Sequence, residues 1–382
     1  MLEVARADAG SVVELTRGLV AIPSRGGVDP YPAIVFFLTD WLARRGLVST
    51  TLLDGGGNAV AVVCDVVGSQ PGPRYVLDAC LDTAPFGDEG RWTHPPASAI
   101  VEDGWLHGRG SADSKAGVAI FCHVAARLAA RRDRLHGTLT LLFDLDEHTG
   151  GFGGAKAYFA GRAAPAGVLI GYPGPDHLVI GGRGVHRLRI QVYGVASHSG
   201  GRSSTPNAIV KAAEVIRSLA ALDAAGGKIT VTAVDGGSGF SVTPDRCMVS
   251  VDVRTIGDFD AVAAATLIRG AVAAVDPRWP GTPATTIEHV LTWPAYELAA
   301  DSPLRRAMLA AAGTFGLAVT PKVAGPSNIG NYLAGLGIPA TAGFGVTYEG
   351  LHGTDERILI SSIPPVQATY HAAVLSLLSP AG

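Results

Sequence analysis

Residues 76–86 read VLDACLDTAPF. The run continues the apolar Tyr75 and ends in a turn at Thr83-Ala-Pro85, the pattern of a buried strand that stops at a loop. In a strand, positions i and i+2 share a face. The Cys80 thiol and the Asp82 carboxylate therefore leave the sheet on the same side. These residues alone leave three readings of Cys80 open: a metal ligand, a nucleophile or a core thiol beside a turn.

Working outward, short apolar runs recur at 59–67, 74–79, 138–145 and 167–171. Helical spacing lies between and before them: a first helix stopped by Pro23, another at 31–45 ending at Gly46, and an Ala/Arg-rich one at 114–132. Strands alternating with helices predict an α/β sheet, largely parallel and covered on both faces. The pattern changes near Gly184. Residues 185–193, VHRLRIQVY, alternate apolar and polar, as a half-exposed strand does. A helix at 205–222, strands at 228–234 and 242–255, a helix at 258–275 and a strand near 284–291 complete a β-α-β-β-α-β order, the ferredoxin-like split unit. After Pro294 the α/β pattern resumes, with helices at 302–315 and 364–378, a strand at 338–342, and Gly-rich loops at 324–330 and 343–357. The expected domains are 1–183 with 292–382, and an insert at 184–291.

A chain of 382 residues is too long for one hydrophobic core, which agrees with two domains. Apolar residues at 47% against charged residues at 16% describe a folded chain rather than a disordered one. A net charge of −3 gives no electrostatic case for nucleic acid or an anionic membrane. Cys64, Cys80, Cys122 and Cys247 are widely spaced without CxxC, which suits a reduced, cytoplasmic setting. The first residues lack the basic-then-apolar signature of a signal peptide, and no run of about 18 apolar residues predicts a membrane span.

Four segments concentrate chemistry: Cys80-Leu-Asp82, Gly108-Arg-Gly-Ser-Ala-Asp113, Asp146-Glu147-His148 and Gly350-Leu-His352-Gly-Thr-Asp-Glu356. Each falls at a strand end or helix start. Singly, each reads as a cap or a solvated turn. Together they supply the spaced His, Asp, Glu and Cys from which a metal site is assembled.

This ordered set resembles the zinc metallohydrolases that include acetylornithine deacetylase, succinyl-diaminopimelate desuccinylase, aminoacylase and glutamate carboxypeptidase. Their His-x-Asp-Thr-x-Pro appears as Cys80-Leu-Asp82-Thr83-Ala-Pro85, followed by Trp92-Thr-His-Pro-Pro. Their Gly-Arg-Gly-x-x-Asp-x-Lys-Gly appears as Gly108-Arg-Gly-Ser-Ala-Asp113-Ser-Lys-Ala, and their Asp-Glu-Glu as Asp146-Glu147-His148. The lid motif appears as Ala196-Ser-His198-Ser-Gly with Pro206-Asn207-Ala, and the final His as His352. The resemblance implies a zinc-peptidase-like α/β/α catalytic domain, with the insert serving as lid and dimerisation domain of a homodimer.

It also implies two zinc ions bridged by one Asp. By position the bridge is Asp113, but three of the five ligand positions are altered: Cys80 stands for the first His, His148 for a Glu, and Tyr172 for a later acidic ligand. The second ion's position keeps Asp113, His148 and His352, a competent set for one divalent ion, with zinc first and cobalt or manganese as alternatives. Cys80 borders the weaker position, where Tyr172 is a poor ligand because a phenol ordinarily titrates near pH 10. Asp82, which in the family orients the replaced His, is expected to disfavour a thiolate at Cys80.

Glu147 keeps the place of the general base, and His198 that of the oxyanion stabiliser. Arg254, Asn207 and Asn328 are the candidates for substrate binding. The implied activity is a metal-dependent amidohydrolase acting on an N-acyl amino acid or small peptide-like amide. A repurposed biosynthetic enzyme of the same fold and a binding protein with a dead site remain open alternatives. No nucleic-acid or membrane partner is expected.

Overall fold

The computed structural model describes residues 1–202 and 204–379; the last three residues of the expected first domain lie outside these. Two compact units appear. The first comprises 1–181, 297–323 and 336–382, and the second 182–296 with 324–335. Residues 324–335, read as part of the first domain, group instead with the insert.

The first unit is built on a six-stranded sheet. Its order is Ser49–Leu53, Ala59–Val67, His136–Asp144, Gln70–Cys80, Gly167–Ile170 and Ala340–Thr341. The last four strands run parallel. The first two are antiparallel additions at one edge, so the sheet is mixed rather than almost wholly parallel. Residues 49–53, STTLL, are too short and too polar to announce a strand, and pairing with Ala59–Val67 is what makes them one.

Gln70–Cys80 sits between two parallel neighbours, and from Tyr75 onward every residue is buried. Alternation decides what covers each face of the sheet. On His136–Asp144, Leu139, Leu141 and Phe143 join the core formed with Leu15, Leu19 and Phe121. Thr140 points the other way, where the Tyr158 hydroxyl of the helix Gly153–Phe159 donates to it at 3.4 Å. Helices therefore cover both faces. The helix Ala116–Ala129 is buried along nearly its whole length, which explains its largely apolar sequence.

A smaller four-stranded sheet joins Val101–Glu102, Trp105–His107, Arg357–Leu359 and Tyr348–Glu349. Its strands hold only two or three residues each, below what apolar periodicity can reveal.

The second unit carries an antiparallel sheet of Lys228–Gly236, Arg246–Thr255, Gly184–Tyr193 and Thr286–Trp293, in that order. With the helices Ala208–Ala220 and Ala261–Val275 this is the split β-α-β arrangement. Leu188, Ile190 and Val192 on one strand and Val249, Val251 and Val253 on the next face inward. Ala212, Val215 and Leu219 close over them at helical spacing. The strand expected over 242–255 is divided into Val242–Thr243 and Arg246–Thr255. Pro244, lacking an N–H, cannot continue a ladder.

All four cysteines are free and buried. No helix among the described residues is long and apolar enough to cross a membrane. Since Leu141 is completely buried in the main sheet, Leu141→Ala should cost about 2–5 kcal/mol. The exposed Val67→Ala should stay within about 0.5 kcal/mol of the parent. Urea denaturation distinguishes the two.

Candidate metal centre

Two strand pairings assemble the site. In the main sheet Cys80 lies beside Asp144, so both chains leave their strands at neighbouring carboxyl ends. The Leu81 N–H donates to the Asp144 carbonyl at 2.7 Å and extends the register by one residue. In the small sheet His107 stands opposite Arg357 in antiparallel register. The segment 108–113 therefore leaves one strand where 350–356 enters the other, and the Gly108 N–H donates to the Glu356 carbonyl at 2.8 Å. Strand ends of open α/β sheets are where ligands bind.

Asp113, His148 and His352 converge here. The Asp113 carboxylate is buried, and its Oδ2 lies 2.9 Å from His352 Nε2 and 3.5 Å from His148 Nε2. One ligand atom from each of the three lies within 4.8 Å of the others. The Asp113–Ser114 peptide is cis, and His352 has a left-handed φ of 58°.

The His148 side chain is 5% exposed, and its ring nitrogens lie 3.4–3.5 Å from oxygens of Asp82, Asp113 and Glu147, ion-pair distances without a well-formed hydrogen bond. An imidazole set among three carboxylates in this way fits a site that takes a cation. The donor set, two imidazoles and a carboxylate, matches zinc chemistry with a coordination position left open. Burial would raise the Asp113 carboxyl pKa, but the neighbouring imidazoles of His148 and His352 hold it below the usual carboxylate range. Burial opposes charge on His148, yet Cys80, Asp113 and Asp82 together hold its pKa above the ordinary value.

Asp82 makes its hydrogen bonds to residues 147 and 148 rather than to Cys80. Its Oδ2 accepts the His148 N–H at 2.8 Å and its Oδ1 accepts the Glu147 N–H at 3.3 Å. The same Oδ1 stands 3.4 Å from His148 Nδ1. The carboxylate expected to act on position 80 thus serves position 148. The charge beside the thiol belongs to Asp113: Cys80 Sγ lies 3.4 Å from Asp113 Oδ1 and 3.2 Å from Ser114 Oγ. Burial, then Asp113, push the Cys80 thiol well above its usual range. The Tyr172 phenol is likewise pushed up, by burial first and by Asp113 and Glu147 next.

Glu147 is partly exposed, its side chain 29% accessible and its Oε2 3.5 Å from His148 Nδ1. Burial and the Asp113 charge push its carboxyl up to about 8. With Cys80 and His148 it forms a second cluster of ligand-type atoms within 4.8 Å.

Two organising residues were quoted in the motifs without a role. Arg109 Nη1 donates to Glu356 Oε2 at 2.7 Å, and both side chains are almost wholly buried. Arg109 Nη2 donates to the carbonyls of His352 (3.2 Å) and Gly353 (2.8 Å). Glu356 Oε1 accepts the N–H groups of Ala112 (2.9 Å) and Asp113 (3.3 Å). One ion pair therefore fixes the backbone under both Asp113 and His352. The signal was a charge without an assigned role in each Gly-rich motif; what hid the pair is its separation of 247 residues.

His198, Asn207, Arg254 and Asn328 all belong to the second unit. His198 is exposed on a two-residue strand paired with Val242–Thr243. Its Nδ1 accepts the Gly200 N–H at 3.0 Å, which leaves Nε2 to carry the proton. Asn207 Oδ1 caps the helix Ala208–Ala220 by accepting from Ile209 and Val210. Asn328 Oδ1 accepts from Gly330. Both asparagines thus spend their oxygens on local backbone. Arg254 donates to Asp252 Oδ2 (2.8 Å) and Ser327 Oγ (3.1 Å), which brings it beside the loop that carries Asn328.

Against known proteins, the model of the peptidase family M20/M25/M40 matches residues 76–376. Succinyl-diaminopimelate desuccinylase of Marinobacter nauticus is 30% identical over 199 residues, covering 48% of this chain and 53% of that protein. The chain spans little more than half the length of the curated relatives it matches. Among solved structures, aminopeptidase PepT of Bacillus cereus aligns with a TM-score of 0.78 at 19% identity, over 97% of this chain and 98% of that one. A dinuclear metal-binding M20-family peptidase of Bacillus subtilis aligns at 0.74 and 16% identity, over 98% and 99%. At such identities these two structures establish the shared fold, while the family model, spanning most of the chain, establishes descent. This chain belongs to the M20/M25/M40 peptidase family.

Proposed function

We propose that this chain is a metal-dependent amidohydrolase that cleaves an N-acyl amino acid or a small peptide-like amide. The observation that carries this reading is the convergence of Asp113, His148 and His352, with Asp113 and His148 buried, His352 open to solvent and Glu147 at its edge. The names of its relatives, a desuccinylase and peptidases, support the reaction class.

Asp113, His148 and His352 would hold one divalent ion, zinc first, with cobalt or manganese as alternatives. Bound there, such an ion polarises a carbonyl and acidifies water. Glu147, part exposed beside His148, in the ionised form that a nearby cation favours, takes the proton of the attacking water and returns it to the leaving nitrogen. Asp82 holds the backbone of residues 147 and 148, so it orients base and ligand together. His198 offers an Nε2–H suited to a developing oxyanion. Arg254, steadied by Asp252 and Ser327, offers its remaining guanidinium N–H groups to a substrate carboxylate.

The reading of one ion at this centre follows from His148. It belongs both to the Asp113 cluster and to the Cys80–Glu147 cluster, and a neutral imidazole has a single free lone pair. With His148 committed to one ion, a second ion on the other Asp113 oxygen would be left with Cys80 and Tyr172, both pushed toward their protonated forms. A second reading, a different one-metal reaction in the same pocket, is favoured only by the altered positions Cys80 and Tyr172.

His148→Ala should lose one tightly bound equivalent of zinc, whereas Cys80→Ala should lose none; an equivalent lost from Cys80→Ala would overturn the one-ion reading. With zinc, cobalt or manganese supplied and a panel of N-acyl amino acids as substrates, Glu147→Gln should lower kcat by roughly 10²–10⁴-fold while retaining its metal. A metal-loaded parent protein silent on the whole panel would favour the second reading. Arg254→Ala should raise KM for substrates with a free carboxylate by roughly tenfold or more, and leave their amidated analogues nearly unchanged.

A further inference from the structure

A second group of metal-type side chains stands on the hairpin that leads into the Asp113 loop. We propose that His94, Glu102 and His107 form a separate site for zinc or a similar borderline transition ion, distinct from Asp113, His148 and His352. His94 Nε2 lies 3.1 Å from Glu102 Oε2. The His94 and His107 rings meet edge to face, with centroids 4.8 Å apart. One ligand atom from each of the three residues lies within 4.8 Å of the others.

The backbone explains the convergence. Val101–Glu102 and Trp105–His107 form a tight hairpin turning at Asp103 and Gly104, both at positive φ, with Glu102 opposite Trp105. Directly opposed residues share a face, and so do residues two apart. Glu102 and His107 therefore project to the same side. His94 arrives on a segment fixed at both ends: Asp355 accepts from the Thr93 N–H (2.8 Å) and hydroxyl (2.9 Å), and the Pro96 carbonyl accepts from Arg109 N–H (2.8 Å). Ligands held on rigid elements cost little ordering on binding.

His107 is the buried anchor of the group: its residue is only 8% exposed, and its ring is held against that of His94. Two imidazoles and one carboxylate suit zinc, copper or nickel, and suit calcium or magnesium poorly. Tetrahedral zinc at about 2.0–2.1 Å from each donor places donors about 3.4 Å apart. His94 and Glu102 have side chains 20% and 58% exposed, and can turn to close that distance while giving an ion access from solvent. The Arg357 cation, opposite His107 in register, is paired with Glu349 Oε2 at 3.0 and 2.5 Å, which reduces its repulsion.

The site's place gives it a consequence. His107 directly precedes Gly108, whose N–H is held by the Glu356 carbonyl. An ion on His94, Glu102 and His107 would staple the hairpin to the 93–96 segment and stiffen the root of the loop that carries Asp113.

The test uses the full-length chain and zinc alone, with equivalents measured by equilibrium dialysis and thermal unfolding followed in parallel. The double variant His94→Gln/Glu102→Gln should bind one equivalent fewer than the parent and lose part of the zinc-induced rise in Tm, with hydrolytic activity retained. In a His148→Ala background, which weakens only the Asp113 centre, one equivalent should remain, and the same two substitutions should remove it. Zinc equivalents unchanged by the two substitutions would overturn the proposal, and because both side chains are part exposed, the parent background decides the question even if His148→Ala fails to fold. Loss of zinc on His148→Ala alone reports on the other centre, so the two proposals fail separately.

Discussion

Asp113 sets the terms for everything around it. An ionised carboxylate taken out of water costs several kcal/mol unless charged partners and hydrogen bonds repay it. Here the repayment comes from far along the chain: the imidazoles of His148 and His352, and the Cys80 thiol against Oδ1. The Asp113 N–H meets Glu356, itself a buried carboxylate that needs Arg109. Arg109 then binds the carbonyls next to His352. One buried charge has thus recruited a second, and the resulting ion pair closes two loops onto each other. The short sheet that sets His107 against Arg357 provides the register in which this can happen.

The altered ligand positions gain sense from this geometry. Where the family pattern places a histidine oriented by the carboxylate two residues on, this chain has Cys80, which has no second ring nitrogen to offer. Asp82 is not stranded by the change. It turns to the N–H groups of Glu147 and His148 and approaches Nδ1 of His148. An imidazole lost at one strand end has a counterpart at the neighbouring strand end, close enough for the same carboxylate to steady it. The parallel pairing of Cys80 with Asp144 makes those two ends adjacent.

Much of this was legible in the sequence. Apolar runs over 59–67, 74–79 and 138–145 mark the sheet because fully buried strands need unbroken apolar stretches. Alternation over 185–193 marks the insert because its strands bury one face. The trio of Asp113, His148 and His352 was readable because ligands are rare residue types at ordered strand ends. What escaped depends on tertiary pairing. The two- and three-residue strands beside the Asp113 loop have no periodicity to read. The break at Pro244 follows from a missing N–H but looks like a continuous strand by hydropathy. The direction in which Asp82 faces is set by which backbone amides it meets, and strand parity alone pointed it at Cys80. The Arg109–Glu356 pair joins positions 247 apart, and no local pattern couples them.

Charge completes the argument for a single ion at this centre. Around the altered position, the groups that would have to bind an ion are Cys80 and Tyr172, and burial favours the protonated form of both. Glu147, next to them, is pushed toward its protonated form as well. Asp113 is then the one ligand at this position that burial and its neighbours leave ionised, and its Oδ2 already faces the two imidazoles. An ion held by Asp113, His148 and His352 displaces no tightly held phenol or thiol proton. A second ion would have to strip both while meeting the repulsion of the first. His148 in place of a Glu and Tyr172 in place of an acidic residue leave less negative charge than the family pattern carries, which supports the proposed single ion over two.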